Sequence, residues 1–564
     1  MMKTNILILN VVILFAYVFG DYVKITIDQG ILQGKKEISR NGRTFNAFTG
    51  IPYAKPPINN LRFQPPVAAS KWKGIFDATK PHPRCLQLYS YLKNSTVIGS
   101  EDCLYLNVYT PNVNPIEKLA VMIFIHGGAF ITGSASDYDP SLFMDQDVVL
   151  LTINYRLGPF GFLTTTTYHM LGNDGLKDQA MAIKWVKNNI AAFGGNSEKI
   201  TVFGQGAGGI SAHLHMMSPL SKDLISGVIA QSGTAVAYNS LMPYFLSVRY
   251  TKFLADSLNC PTDADMDDMV RCLLYKPGKK ILEKMLTFTE FDIEPITIFK
   301  PVMEPDLPGA FITEDPVHTI LKGKAAKVPF LTGITSDEGD LRTTLLFKYP
   351  NMIDEFNQQI DRYLPMILNY KYVAIYKNLE PATQKIKAFY LKNRDLSEKN
   401  RKEFSKMYTD ALYLLSANFA TELHLKGSKE SVYYYVFGYK GSESYCKLYD
   451  DSVKNTHGVC NSDELLYLFN DNLNFPNYKR NEAENQLSDL MVHLWTTFAK
   501  QGTPSPKNID TLPVWKPYTI NHPNHYFITN GTFLENLSSI FTIRSNFWKN
   551  LNVNENRIKL RDEL

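Results

Sequence analysis

The chain has no concentrated block of basic residues, and that sets the first limit on its function. Lys and Arg total 59 against 55 Asp and Glu, a net charge of +4 over 564 residues. A nucleic-acid binder gathers its positive charge on one face, so nucleic acid is excluded as a partner. There is no Gly/Ser-rich or Pro-rich linker, no internal repeat and no run of like charge to divide the sequence. Length alone would suit roughly three or four domains of about 150 residues. Without linkers, one large domain over residues 21–560 is the expectation. Past the N-terminus no apolar run approaches the ~20 residues of a membrane-spanning helix, so no later span is expected. No metal site and no cofactor is expected either.

What is present at the two ends points to the secretory pathway. Lys3 supplies a positive charge, and Ile6 to Phe19 is mostly apolar but interrupted by Asn10. This reads as a signal peptide over residues 1–20, cut near Asp21, and not as a membrane anchor. The last residues are Arg561-Asp562-Glu563-Leu564. They resemble the KDEL/HDEL address for retention in the endoplasmic reticulum, with secretion as the alternative. Sequons stand at Asn94, Asn530 and Asn536, in keeping with that compartment. The six cysteines suit an oxidising lumen. Cys85 with Cys103 and Cys260 with Cys272 would close short loops. Cys446 and Cys460 remain, and their pairing stays open at this stage.

Between the ends, short apolar runs alternate with helical patterns. Val121–Ile125, Val148–Ile153, Ile200–Phe203, Val228–Ala230, Val328–Thr332 and Val432–Phe437 are strand candidates. They lack polar alternation, as strands do when both faces of their sheet are covered. Ala180, Ile183, Val186 and Ile190 recur at helical spacing, with Gly194 placed to end the helix. Leu487, Met491, Leu494 and Phe498 mark a late helix stopped by Gly502 and Pro504. The alternation predicts an α/β fold with a mostly parallel sheet. Residues about 340–430 are richer in helical patterns and read as a helical cap or side wall.

One turn carries the chemical question. Ile200-Thr201-Val202-Phe203 runs into Gly204-Gln205-Gly206-Ala207-Gly208-Gly209. This is the frame of a nucleophile elbow, Gly-x-Ser-x-Gly, in which a sharp strand-to-helix turn exposes a serine hydroxyl. Its middle position is Gly206, which has no side chain to attack anything.

The surrounding motifs resemble the type-B carboxylesterase/cholinesterase family over nearly all of the mature chain. Phe48-Thr49-Gly50-Ile51-Pro52-Tyr53-Ala54 and Glu101-Asp102-Cys103-Leu104-Tyr105-Leu106-Asn107 resemble its two signatures. His126-Gly127-Gly128-Ala129-Phe130 resembles its oxyanion loop, and Asn154-Tyr155-Arg156 and Gly172 to Gln179 also fit. The resemblance implies an α/β-hydrolase fold and a Ser–His–Glu triad. Asp337-Glu338-Gly339 matches the acid, so Glu338 carries that position. The base position falls on Asn461, within Gly458 to Phe469. Asparagine takes no proton near neutral pH and cannot act as a general base. Two of three triad members are therefore missing, and Glu338 is expected as a buried acid bound to water or to Asn461.

Backbone N–H groups of Gly127, Gly128, Ala129 and Ala207 still supply an oxyanion hole on this reading. No substitute for the triad is evident. Ser211 is on the elbow helix and points elsewhere, Ser232 reads as structural support, and His457 is four residues from the lost base. His213 and His215 read as satisfied core histidines. The expected function is a catalytically inactive member that binds a hydrophobic or ester-like small molecule in the old gorge, or a protein partner. The alternative is a weak ester hydrolase with a non-standard nucleophile.

Overall fold

A computed structural model gives the fold. It describes residues 22–551 and 553, apart from 90–95, 166, 169, 264, 292–293, 372, 375, 451–457, 506–512, 530–532 and 536–537. The N-terminal segment read as a signal peptide, the C-terminal tail, the sequons at Asn94, Asn530 and Asn536, and His457 lie outside the described residues.

A thirteen-stranded sheet runs through the molecule. At one edge β1 (Tyr22–Ile27), β2 (Gly30–Ile38) and β3 (Thr44–Pro52) are antiparallel neighbours, and β4 (Ile75–Asp77) adds to β2. β5 (Gln87–Tyr89) and β6 (Thr96–Ile98) form a separate two-stranded sheet. β7 (Tyr105–Thr110) links the edge to the centre. The centre is parallel: β8 (Leu119–Ile125), β9 (Val148–Ile153), β10 (Gly195–Gln205), β11 (Gly227–Gln231), β12 (Phe330–Thr335), β13 (Val432–Phe437) and β14 (His525–Ile528). Their spatial order is β9-β8-β10-β11-β12-β13-β14, and β15 (Phe533–Glu535) closes the far edge antiparallel.

The uniform apolar strands have the cause inferred from sequence. Every residue of β9, β11, β12 and β13 is buried. Successive side chains leave opposite faces of a strand, so each face acquires its own core. Ile123, Val202 and Val228 pack with Ile183, Val186 and Leu214 on one side. Phe124, Phe203 and Ile229 pack with Met491, Trp495 and Phe498 on the other. The helices that supply those partners are Asp174–Asn189 and Ala207–His215 on the first face and Glu482–Gln501 on the second. The last is started by an Asn481/Glu484 capping box and ended by Gly502 at φ 71°.

β12 begins at Phe330, two residues later than the sequence suggested. Pro329 has no N–H to give a ladder, so pairing starts after it. Residues 340–427 are largely helical and hold their own core around Phe356, Tyr363, Ile386 and Phe404, closed by Trp548. Disulfides join Cys85 to Cys103, Cys260 to Cys272 and Cys446 to Cys460. Among the described residues no helix is long and apolar enough to cross a membrane.

Candidate active site

β10 ends at Gln205 and the next helix begins at Ala207, so Gly206 alone makes the turn, at φ 58°, ψ −118°. The glycines around it are forced by close packing. A Cβ on Gly204 would lie 2.4 Å from the Ile125 carbonyl oxygen, one on Gly208 1.9 Å from the same atom, and one on Gly209 2.7 Å from the Gln231 oxygen. A Cβ on Gly206 would meet nothing within 4 Å. The elbow thus keeps open space where a nucleophile would stand, and no side chain fills it.

The loop after β8 wraps over this space. Gly128, Ala129 and Phe130 have φ of 95°, 55° and 62°, and the Gly128 carbonyl accepts from the N–H of Ile131 and Thr132. His126 anchors its start: Tyr155 Oη donates to the His126 carbonyl at 2.9 Å, and the two rings stack 4.4 Å apart. Burial pushes His126 down to about 4, so it stands neutral. The N–H groups of Gly127, Gly128, Ala129 and Ala207 donate to no protein acceptor among the described residues. All four residues line one cavity of about 230 Å³ with Gly206.

The structure brings together Glu338 and Asn461, the two residues that the resemblance gives to the acid and base positions. Asn461 Nδ2 donates to Glu338 Oε2 at 2.5 Å. Asn461 Oδ1 accepts from Gln205 Nε2 at 3.1 Å and from Ser462 Oγ at 3.0 Å. The amide is therefore engaged on both sides, tying the acid loop to the residue before Gly206. It holds these elements together but can accept no proton from a nucleophile. Glu338 Oε1 accepts from the Thr335 N–H at 3.0 Å. Burial raises Glu338 to about 7, against the pull of Ser232, Asn461 and Thr335. Ser232 Oγ lies close enough to influence this carboxyl, yet it meets no partner at hydrogen-bonding geometry.

A second buried acid was not singled out from sequence. Glu464, three residues after Asn461, is fully buried and raised to about 8 by burial and by the charge of Glu338. Gln231 Nε2 donates to it at 3.2 Å, and Gln231 Oε1 accepts from Trp495 Nε1 at 3.1 Å. These pairings span more than two hundred residues of sequence, and no local spacing announces them. Gln205 was missed for the same reason.

The remaining candidates are structural. Ser211 is buried, takes a hydrogen bond from Gln179 at 3.2 Å and does not line the cavity. His213 accepts from the Ala235 N–H at 3.1 Å and pairs with His424 at 2.8 Å. His215 pairs with Ser221 at 2.8 Å and Gln179 at 3.0 Å. Burial lowers both histidines, His215 to about 3. Ser232 does line the cavity. The walls mix apolar side chains, Phe130, Ile210, Leu341, Leu345, Leu412 and Tyr413, with the charged Arg84, Asp137, Arg342 and Asp471. Tyr445, Leu448 and Tyr449 flank Cys446, whose disulfide fastens that wall to Cys460, the residue before Asn461. Among the described residues no group of His, Cys, Asp or Glu is placed to hold a metal ion.

Other sequence motifs serve the scaffold. Arg156 grips Asp178 through Nε and Nη2 at 2.8 and 2.7 Å, both side chains buried. Arg62 holds Glu101 through two bonds of 2.6 Å.

Comparison with known proteins agrees with this architecture. The crystal structure of juvenile hormone esterase from Manduca sexta with OTFP covalently attached superposes with a TM-score of 0.81 at 24% identity, covering 94% of this chain and 99% of that one. Juvenile hormone esterase from Tribolium castaneum is 37% identical over 504 residues, 86% of this chain and 85% of that protein. Esterase E4 from Myzus persicae is 35% identical over 90% of this chain and 91% of its own length. Venom carboxylesterase-6 from Apis mellifera is 34% identical over 95% of each. The family model described as "Carboxylesterase family" matches residues 21–548. With that match over nearly the whole chain, and relatives above 30% identical along most of its length, the chain belongs to the carboxylesterase family.

Proposed function

We propose that this chain is a non-catalytic carboxylesterase relative that holds a hydrophobic, ester-like small molecule in its gorge. The observation that carries the reading is Gly206: the elbow has room for a nucleophile and none is present. Asn461 compounds the loss, since an amide pinned between Glu338 and Gln205 cannot serve as base. The cavity itself persists, with apolar side chains and a few charged ones around the N–H donors of Gly127, Gly128, Ala129 and Ala207. That combination favours a small molecule over a protein partner, because concave apolar sites with a few directed polar groups suit small ligands. The relatives' names, esterases all, support an ester-like ligand. The three disulfides, the signal-like N-terminus and the RDEL tail support residence in the lumen of the endoplasmic reticulum.

Equilibrium dialysis against p-nitrophenyl butyrate tests the binding. Saturable uptake with the ester recovered intact is expected. Recovery as p-nitrophenol, or no saturable uptake, would overturn the reading. A second reading, weak hydrolysis, rests on Ser232, the buried hydroxyl that lines the cavity beside Glu338. Ester turnover that disappears in Ser232→Ala would favour it.

A further inference from the structure

Resting on that reading of the gorge, we infer that its preferred ligand is a hydrophobic monocarboxylic acid, bound as the carboxylate with one oxygen in the space left open at Gly206. An esterase needs its elbow space for the serine hydroxymethyl group. Here a Cβ at Gly206 would meet nothing within 4 Å, so the base of the cavity has room for an extra ligand atom.

The groups around that space are donors. Ala207 heads the nine-residue helix Ala207–His215, and its N–H has no protein acceptor among the described residues. The N–H groups of Gly127, Gly128 and Ala129, from a different element, are also without one and line the same cavity. Ser232 also lines the cavity, but its Oγ is buried toward the Glu338 carboxyl and is not one of these donors.

An ester carbonyl offers this cluster one weakly charged oxygen. A carboxylate offers two, and bonds from N–H to an ionised oxygen are roughly twice as strong as neutral ones. The helix start adds attraction for negative charge. Burial keeps Glu338 and Glu464 raised to about 7 and about 8, which limits the negative charge beneath the ligand, and in the cavity lining Arg84 and Arg342 stand against Asp137 and Asp471. Phe130, Leu341, Leu345 and Leu412 would then take the acid's apolar tail.

Titration calorimetry on the full-length mature protein at pH 6.5 would compare hexanoic acid with methyl hexanoate. The acid is expected to bind roughly tenfold tighter, as one charge-assisted bond would give. Ala207→Pro is the decisive variant. Proline is tolerated at the first helical position, where it removes that N–H and sets its ring Cδ in the hydrogen's place. Gly206 before it has ψ −118°, outside the helical region that a following proline disfavours. Both affinities should fall in this variant, the acid's by the larger factor, so that the roughly tenfold preference narrows toward parity.

If the ester binds as tightly as the acid, or Ala207→Pro leaves the preference intact, the carboxylate inference fails while gorge binding stands. If neither ligand binds, gorge binding fails and this inference fails with it. Because the acid–ester comparison uses the unmodified chain, poor folding of the variant leaves that test in place.

Discussion

Replacing Gly206 with serine tests the geometry of the elbow directly. The new side chain has two effects on stability. The residue sits at φ 58°, ψ −118°, a conformation that costs a side-chain-bearing residue on the order of 1–3 kcal/mol. Removing a glycine also restricts the unfolded chain, which returns about 0.4–1 kcal/mol. Packing adds little, since a Cβ there meets nothing within 4 Å. The net is a loss of roughly 1–2 kcal/mol, a small downward shift of Tm in a chain of this size. Gly208→Ala is the contrast, with its Cβ only 1.9 Å from the backbone oxygen of Ile125. Something must move there, so this variant should lose far more stability or fail to accumulate. Thermal unfolding of wild type, Gly206→Ser, Gly206→Ala and Gly208→Ala under matched conditions gives the ranking. If Gly206→Ser is as damaged as Gly208→Ala, the elbow has no space reserved for a side chain. If it is more stable than wild type, the turn carries no strain.

The double variant Gly206→Ser/Asn461→His should gain labelling by a fluorophosphonate, because it returns a nucleophile and a base beside Glu338; each single variant should stay unlabelled, and an inert but folded double variant would show that the cavity has drifted further than two side chains. Glu464→Gln should flatten the pH dependence of stability. The folded group is raised to about 8 from an ordinary 4.5, so its contribution is full below about pH 4.5 and is lost as pH rises toward 8, a few kcal/mol in all; a denaturation series over that window in which wild type and variant run parallel would refute it. Deleting Arg561–Leu564 should release the protein to the medium, and equal secretion of the intact chain would make the tail irrelevant.

Much of this was legible in the chain because the relevant physics is local. Unbroken apolar runs announced β8, β9 and β13, since a strand covered on both faces needs no polar alternation. The Gly204–Gly209 run announced the elbow, because only glycine permits the backbone contacts made by Gly204 and Gly208. What stayed hidden depends on distant partners. The pairing of Cys446 with Cys460 follows from how the wall folds back over the site. The bridge from Gln205 through Asn461 to Glu338 draws on three separate stretches of sequence. Nothing in the order of residues distinguishes Glu464 from an exposed acid, yet it is fully buried on Gln231. The outer strand β14 was missed as well, being only His525–Ile528 and following a proline-rich approach.

The most direct measurement is turnover of p-nitrophenyl esters by the purified wild-type protein, run beside a heat-denatured sample and a fluorophosphonate-treated one. With no side chain at Gly206 and no base at Asn461, release of p-nitrophenol should match the denatured control, and the fluorophosphonate should leave the intact mass unchanged. Release above that control, abolished by the inhibitor together with a covalent mass increase, would contradict a non-catalytic gorge and require a nucleophile other than the elbow residue.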